Sequence, residues 1–233
     1  MTKVHFSPDA LQAERRKGFE NEGLLNAYIY RPLALQCTMI AARLRATPNQ
    51  LTLISSFFSL VAAGFFLTGN YKLMLWGLLP FHLGKILDCA DGQLARLTKQ
   101  GSALGAFLDP FLDRVVDIAT LLALAIGYRA ATGSEVAVWL VFAFVVAWFF
   151  GVYLEKESAG SQRNMDTLRG TTSTLPPMVR RLLKWDGGFS GLITTLAVVF
   201  NLIPWVIGLF VVVAVLPVPI QFKRLYGELR ARG

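Results

Sequence analysis

Five aspartates at helical spacing are the residues of this sequence best suited to chemistry. Asp88 and Asp91 are three residues apart, and Gly92 and Ala95 continue the same helix face. After a short polar stretch, a second series repeats every four residues: Gly105, Asp109, Asp113 and Asp117. Antiparallel helices joined by so short a connection must be neighbours, so we expect the two acidic faces to meet.

Carboxylates gathered in this way repel one another. Two like charges about 4 Å apart repel by about 4 kcal/mol at an effective dielectric constant of 20. Protonation, basic side chains or bound cations would each relieve the repulsion. Lys85 lies one turn before Asp88 and can neutralise one charge, whereas Arg114 points about 100° away from Asp113. The acidic faces offer oxygen ligands, which favours Mg²⁺, Mn²⁺ or Ca²⁺ over zinc.

The flanking residues are typical of a phosphate site. Two divalent cations would balance four carboxylates, and a pair of ions about 4 Å apart is the usual apparatus of in-line phosphoryl displacement. Gly92 and Ala95 let an extended ligand approach the backbone, and Arg96 adds a planar fork for phosphate oxygens. Ser102 and Gly105 do the same on the second helix. The pattern predicts a nucleotide ligand, although the sequence has neither a Walker motif nor a dinucleotide fingerprint.

Composition places these helices in a membrane. The 233 residues are 54% hydrophobic and 16% charged, whereas a soluble domain carries about 25% charged residues. Six apolar segments approach the roughly 20 residues that cross a bilayer; they lie near 48–68, 73–95, 104–128, 135–154, 187–201 and 203–222. We therefore expect an all-α, polytopic integral membrane protein with six transmembrane helices. Asp113 would lie roughly 15 Å down its helix, where a carboxylate is by default a functional hypothesis.

The basic residues predict the orientation. With a cytoplasmic N-terminus, 19 of the 23 Lys and Arg residues fall on the cytoplasmic side, and only Lys72 and Arg129 on the opposite side. The positive-inside rule then places both termini and the acidic site at the cytoplasmic face. The net charge of +8 is explained by anionic lipid, and no nucleic-acid partner is predicted.

Three regions are predicted along the chain. Residues 1–46 form a cytoplasmic N-terminus that ends in an amphipathic helix, 23–45, lying in the membrane interface; a seventh span is the alternative. Thr47 and Pro48 are typical of the N-cap and first turn of a helix. Residues 47–226 form the six-helix membrane domain, and 227–233 a cytoplasmic tail.

At these residues the chain resembles a known family. Its pattern D-x2-D-G-x2-A-R-x8-G-x3-D-x3-D is the signature of the CDP-alcohol phosphotransferases. All eight fixed positions match: Asp88, Asp91, Gly92, Ala95, Arg96, Gly105, Asp109 and Asp113. The resemblance covers about residues 45–225 and includes the segment TPNQLT at 47–52.

The resemblance implies a reaction and a set of roles. Members transfer a phosphoalcohol group from a CDP-linked donor to an acceptor hydroxyl and release CMP, mostly in phospholipid synthesis. CDP-diacylglycerol is the expected donor, Mg²⁺ or Mn²⁺ the expected pair of cations, and a homodimer the expected assembly. The metals would be held by Asp88, Asp91, Asp109 and Asp113, with Asp113 also the base. The donor would be bound by Asn49, Thr52, Gly92, Ala95, Arg96, Ser102 and Gly105.

Several alternatives stay open. A small phosphoalcohol could instead move from a soluble CDP-alcohol to a lipid or polyol. A more remote alternative is an ion-coupled transporter, and another is an aspartate-rich prenyltransferase. Asp117 lies outside the signature and either supports the site or pairs with Arg114.

The acceptor is the least defined substrate. Lys156, Arg163 and Arg169 are candidate ligands for an anionic acceptor, although orientation alone explains them. Phosphatidylinositol phosphate synthases have K-x-R-A-E after the fourth span, and YLEKESAG at this place argues against a phosphoinositol acceptor. The aromatic run 148–150 is expected to face lipid or to pack in the interfacial aromatic belt, and His82 to be a packing residue.

Overall fold

The regular structure is helical throughout the part of the chain that the computed structural model describes, namely residues 6–21, 23–159 and 187–216 with three residue pairs between 218 and 227. The elements are α1 (Pro8–Asn21), a π-helical segment (Asn26–Tyr30), α2 (Arg31–Arg43), α3 (Pro48–Leu67), α4 (Tyr71–Thr98), α5 (Ala103–Thr132), α6 (Val136–Ala159), α7 (Gly187–Val199) and α8 (Ile203–Val215). The all-α prediction is confirmed.

Among the described residues, three helices are long and apolar enough to cross a bilayer: α3, α4 and the part of α6 from Val136 to Leu154. The helix α5 has 30 residues but carries the acidic series in its first half. The helices α7 and α8 have 13 residues each, fewer than the roughly 20 that a simple span needs. Six spans therefore remain a prediction, whereas the three long apolar helices support an integral membrane protein.

The main hydrophobic core joins the six helices from α3 to α8. Its most completely buried large side chains are Phe66, Leu124, Val141, Val198, Ile203 and Ile207. Phe66 lies in the last turn of α3 and Met74 in the first turn of α4. This core therefore lies toward the α3–α4 turn, at the opposite end of α4 from its aspartates. Buried apolar side chains thus hold the helices together at this end of α4, whereas the end that carries the aspartates is held by other contacts.

A second cluster lies at that acidic end and joins α2, α3 and α4. Its buried members are Ala34, Ala41, Ala42, Leu51, Ala90 and Leu94. The hydroxyl of Thr38 on α2 lies 3.1 Å from the carbonyl of Ala90 and 3.2 Å from Oε1 of Gln93. Nε2 of Gln93 donates to the Arg31 carbonyl at 3.3 Å. Small side chains and these buried polar contacts hold α2 against α4.

A hydrogen-bonded chain ties the π-helical segment and α7 to α4. Burial raises the pKa of Tyr30 to about 12, so its hydroxyl stays protonated. The Thr195 hydroxyl donates to the Gly191 carbonyl at 2.8 Å and therefore accepts from Nε2 of His82 at 2.9 Å. Nδ1 of His82 must then accept from the Tyr30 hydroxyl at 2.6 Å. His82 joins three elements of the fold and agrees with its predicted packing role.

The N-terminal region differs in detail from the single helix predicted over 23–45. The structure divides that stretch into the π-helical segment and α2, with Pro32 near the start of α2, where its missing N–H costs little. The additional helix α1 precedes it. Ser7 accepts a hydrogen bond from the N–H of Ala10 at 3.2 Å, and this cap is the sequence signal that could have predicted α1.

Candidate active site

The acidic faces of α4 and α5 come together as expected. Asp88, Asp91 and Asp109, here called the acid cluster, each offer a carboxylate oxygen, and these oxygens all lie within 4.8 Å of one another. Asp113 interacts electrostatically with all three, although it is outside this tightest group. The short connection 99–102 between the helices makes the meeting unavoidable.

The start of α3 supports this cluster from the side. Thr47 and Gln50 form a capping box, with the Gln50 N–H donating to the Thr47 hydroxyl at 3.3 Å and the Thr47 N–H to Oε1 of Gln50 at 2.9 Å. The predicted helix start is therefore confirmed. One turn later, the Thr52 hydroxyl donates to Oδ2 of Asp91 at 2.6 Å. Thr52, which is predicted to bind the CDP-linked donor, thus holds a carboxylate of the acid cluster.

The start of α5 is packed against the same end of α3. The Ser102 hydroxyl accepts a hydrogen bond from the N–H of Gly105 at 2.9 Å and caps α5. A Cβ added to Gly105 would lie 2.6 Å from Oδ1 of Asn49. A larger residue at position 105 would therefore require the Asn49 side chain to move away from the α5 backbone. The structure brings together, at one edge of the site, these three residues that are predicted to bind the CDP-linked donor.

The remaining residues predicted to bind the CDP-linked donor lie on α4. Gly92 and Ala95 are half-buried, and a Cβ added to Gly92 would meet Nη1 of Arg96 at 3.2 Å. Arg96 also donates two hydrogen bonds of 2.9 Å, from Nε and Nη2, to Glu14 of α1. Sequence reasoning did not anticipate Glu14, because nothing in the pattern around it indicates which distant residue its helix meets.

A cavity of 580 Å³ adjoins the acid cluster. Its charged lining consists of Lys85, Asp88, Asp113, Arg114 and Asp117. Thr120 also lines it, is 5% exposed, and has an Oγ1 with no hydrogen-bond partner among the described residues. Such a buried hydroxyl, left without a partner, indicates room for a polar ligand. Beside Asp88 of the acid cluster, the cavity therefore combines two further carboxylates, two cationic side chains and the Thr120 hydroxyl.

Arg114 and Asp117 form the pair considered from the sequence. Nη1 of Arg114 lies 3.4 Å from Oδ2 of Asp117, and its guanidinium lies 5.6 Å from the ring centre of Trp148. Trp148 lines the cavity, which differs from the prediction that the aromatic run faces lipid or packs in the interfacial belt. Phe149 and Phe150 are more than half exposed. The run divides because neighbouring residues of one helix point in directions about 100° apart.

The candidate acceptor residues cannot be placed around this cavity. Arg163 and Arg169 lie outside the described residues, as does the side chain of Lys156 near the end of α6. Their proposed role therefore stays a prediction.

The acid cluster is suited to a hard divalent cation. Its three donors are carboxylates, and the hydroxyl of Thr52 supports one of them. Oxygen ligands of this kind suit Mg²⁺ or Mn²⁺, and supporting hydrogen bonds are typical of metal-binding carboxylates. The residues present could therefore hold a metal ion. Together with the glycines and Arg96, they form a site suited to a diphosphate.

Comparison with known proteins agrees with this chemistry. The sequence profile of the CDP-alcohol phosphatidyltransferase family matches residues 45–218. The chain belongs to that family, and the family expected from the aspartate pattern is confirmed.

The names of the similar proteins describe more than one kind of activity. The chain is 41% identical over 86 residues to archaetidylinositol phosphate synthase of Pyrococcus horikoshii, which is 37% of this chain and 44% of that protein. It is 34% identical over 104 residues to the bifunctional IPC transferase and DIPP synthase of Thermococcus kodakarensis, 45% of this chain and 23% of that protein. A protein of the same description from Aquifex aeolicus is 28% identical over 170 residues, 73% of this chain and 36% of that protein. The chain thus spans less than half the length of these curated relatives.

Proposed function

We propose that this chain transfers a phosphatidyl group from a CDP-linked lipid, CDP-diacylglycerol in the first instance, to the hydroxyl of an acceptor alcohol, releasing CMP in phospholipid synthesis. One observation carries the proposal: the acid cluster lies at the edge of a 580 Å³ cavity that also contains Asp113. The reaction needs a place for a diphosphate, a place for an alcohol and a base between them. These three features adjoin one another.

Two divalent cations, Mg²⁺ or Mn²⁺, are proposed at Asp88, Asp91, Asp109 and Asp113. When bound, they would neutralise the carboxylates and stabilise the charge that develops on the diphosphate. The residues around them bind and orient the donor. Thr52 fixes the Asp91 carboxylate at 2.6 Å, and Gly92 leaves the face of α4 open beside Arg96.

Asp113 is the proposed general base. Its carboxylate takes the proton of the acceptor hydroxyl, and the acceptor oxygen attacks the β-phosphorus of the donor in line. The new bond joins that oxygen to the β-phosphorus. The bond that breaks joins the β-phosphorus to the bridging oxygen, whose electron pair leaves with CMP. Asp113 lines the cavity and interacts with the acid cluster, so its position supports this role.

The cavity is the proposed acceptor site. Lys85 and Arg114 bring positive charge beside the three carboxylates of the lining, and Thr120 brings a hydroxyl without a hydrogen-bond partner among the residues described. An alcohol with several oxygen atoms, including a polyol phosphate, matches this lining better than an apolar alcohol does.

The setting is proposed as a prokaryotic inner membrane, with the acid cluster and both termini at the cytoplasmic face. In this arrangement residues 47–226 form the catalytic membrane domain and α2 lies in the interface. A homodimer is proposed as the assembly.

The test uses membranes that contain the overexpressed protein, labelled CDP-diacylglycerol and a panel of alcohols. We expect one class of acceptor to release CMP and form a labelled phospholipid, and EDTA to stop both. If no alcohol supports CMP release above that of membranes without the protein, the lipid donor is wrong.

A second candidate is transfer of a small phosphoalcohol from a soluble CDP-alcohol to a lipid or polyol. The similarity to bifunctional proteins, whose names differ from that of the synthase, favours testing it. Labelled soluble CDP-alcohols in the same membranes provide the test. Label in an extracted product without added CDP-diacylglycerol would establish this second activity.

A further inference from the structure

The helix α1 turns the acidic side chain of Glu14 toward the proposed nucleotide site. Oε1 of Glu14 accepts a hydrogen bond from Nε of Arg96, and Oε2 accepts one from Nη2, both at 2.9 Å. The side chain of Glu14 is 5% exposed, whereas Arg15 and Arg16 are exposed. Glu14 is therefore the inward-facing residue of this turn, and its contact joins α1 to α4.

A second guanidinium also contacts this carboxylate, and further contacts hold the segments around it. Nη1 of Arg31 on α2 lies 3.6 Å from Oε2 of Glu14. The backbone of Arg31 is in turn held by Gln93 of α4 at 3.3 Å. Phe6, just before α1, packs against the cluster of small residues between α2, α3 and α4. Glu14 is thus a buried anion between two guanidinium groups, and both α1 and α2 are anchored around it.

The pairing of Arg96 with Glu14 leaves other N–H groups of the guanidinium for a ligand. A guanidinium has five N–H donors, of which Glu14 receives two from the Nε and Nη2 edge. Nη1 lies over Gly92, since a Cβ built there would be 3.2 Å away. Gly92 belongs to the same helix as Asp88 and Asp91. The guanidinium is therefore held with Nη1 above the part of α4 proposed to receive the diphosphate.

We propose that Glu14 is a positioning residue for phosphate recognition, which acts by fixing the guanidinium plane of Arg96 over Gly92. The inference rests on the proposed function, in which Arg96 binds the CDP-linked donor. A free arginine side chain loses rotamer freedom when it binds phosphate, and an arginine already held by Glu14 loses less. A carboxylate that merely occupied Arg96 in place of phosphate would have the opposite effect on affinity.

The test measures CMP affinity by calorimetry on the purified full chain in detergent with saturating Mg²⁺. E14Q keeps the size of the side chain and removes its charge, and we expect the affinity to fall about tenfold. E14D keeps the charge but shortens the reach, so an intermediate loss is expected. D9N removes an exposed acid from the same helix and should leave the affinity within about twofold of wild type.

The R96K background separates positioning from packing. Lysine has no planar fork for Glu14 to orient, so E14Q should cause no further loss in R96K. An equal loss in both backgrounds would mean that Glu14 acts through the packing of α1, and tighter CMP binding by E14Q would mean competition with phosphate. Either result overturns the inference.

Two outcomes distinguish this inference from the proposed function. If wild-type protein binds CMP but E14Q and E14D bind it equally well, only the role of Glu14 is wrong. If wild-type protein does not bind CMP with Mg²⁺, the proposed function and this inference are both wrong. Should E14Q fail to fold, E14D and its R96K combination carry the same comparison.

Discussion

The Thr52 hydroxyl donates a 2.6 Å hydrogen bond to Oδ2 of Asp91 across the interface of α3 and α4. Both residues are almost completely buried, at 5% and 4% exposure, so water does not readily replace this bond. Partners of this kind hold metal-binding carboxylates in a productive orientation. The start of α3 therefore contributes to the acid cluster although it supplies none of its carboxylates.

Replacing Thr52 tests that support. Thr52→Val keeps the shape and removes the donor, so we expect the Mg²⁺ affinity to fall by about 10- to 100-fold. The Mg²⁺ dependence of CMP release measures the effect. Ser56→Ala is the matched control, because the Ser56 hydroxyl donates to the backbone carbonyl of Thr52 at 2.8 Å rather than to an acid. An unchanged Mg²⁺ dependence in Thr52→Val would show that Asp91 is oriented without α3.

Replacing Asp113 tests the proposed base. Asp113→Asn keeps the size but cannot take a proton, so the turnover rate should fall by about 10²- to 10⁴-fold. CMP binding should survive, because asparagine keeps a side-chain oxygen and the three carboxylates within 4.8 Å of one another are retained. Single-turnover CMP release and calorimetry measure the two quantities.

The control for Asp113 is one turn away on the same helix. Asp117 is outside the family pattern and pairs with Arg114 at 3.4 Å, so Asp117→Asn should reduce turnover less than Asp113→Asn does. Wild-type turnover in Asp113→Asn would remove that residue from the chemistry. Equal losses in both variants would indicate a shared electrostatic role instead of a specific base.

The meeting of the acidic faces could be predicted from sequence because it depends on local features. Spacings of three and four residues place side chains on one helix face, and the short connection 99–102 makes α4 and α5 neighbours. The capping box at Thr47 is equally local, since Gln50 is three residues away. In each case the information lies within a few turns of helix.

The contacts of Glu14 and Trp148 could not be predicted in the same way. Glu14 meets Arg96 across 82 residues of sequence, and the sequence around either residue does not specify that pairing. Trp148 lies in an almost uniformly apolar helix, where hydrophobic periodicity gives no inward face. Which side of α6 lines the cavity depends on how α6 packs against α5 and α8, a property of the assembled helices.

Lys85 tests the proposed acceptor cavity. It lines the cavity with Asp88 and Asp117, and Lys85→Met keeps the long apolar stem but removes the charge. We expect the KM for an anionic or polyol acceptor to rise about tenfold, the effect of losing one charged hydrogen bond. CMP affinity should change much less, because Arg96 and the acid cluster are retained.

A second lysine of α4 provides the control for Lys85. Lys72 is exposed at the far end of the helix. Lys72→Met should therefore leave the acceptor KM and the CMP affinity unchanged. Steady-state kinetics with each substrate varied in turn makes the comparison. A larger effect of Lys85→Met on CMP than on the acceptor would place Lys85 in the donor site instead.

The chain from Tyr30 through His82 to Thr195 provides a test of the fold itself. Tyr30 is 6% exposed, and its hydroxyl donates to Nδ1 of His82 at 2.6 Å. Tyr30→Phe leaves that buried nitrogen without its donor, a change that costs about 1–3 kcal/mol. We expect a lower melting temperature in detergent, measured without ligand. Tyr153→Phe, at a side chain that is 51% exposed, is the matched control. Equal melting temperatures in the two variants would mean that apolar packing alone holds the π-helical segment and α7 against α4.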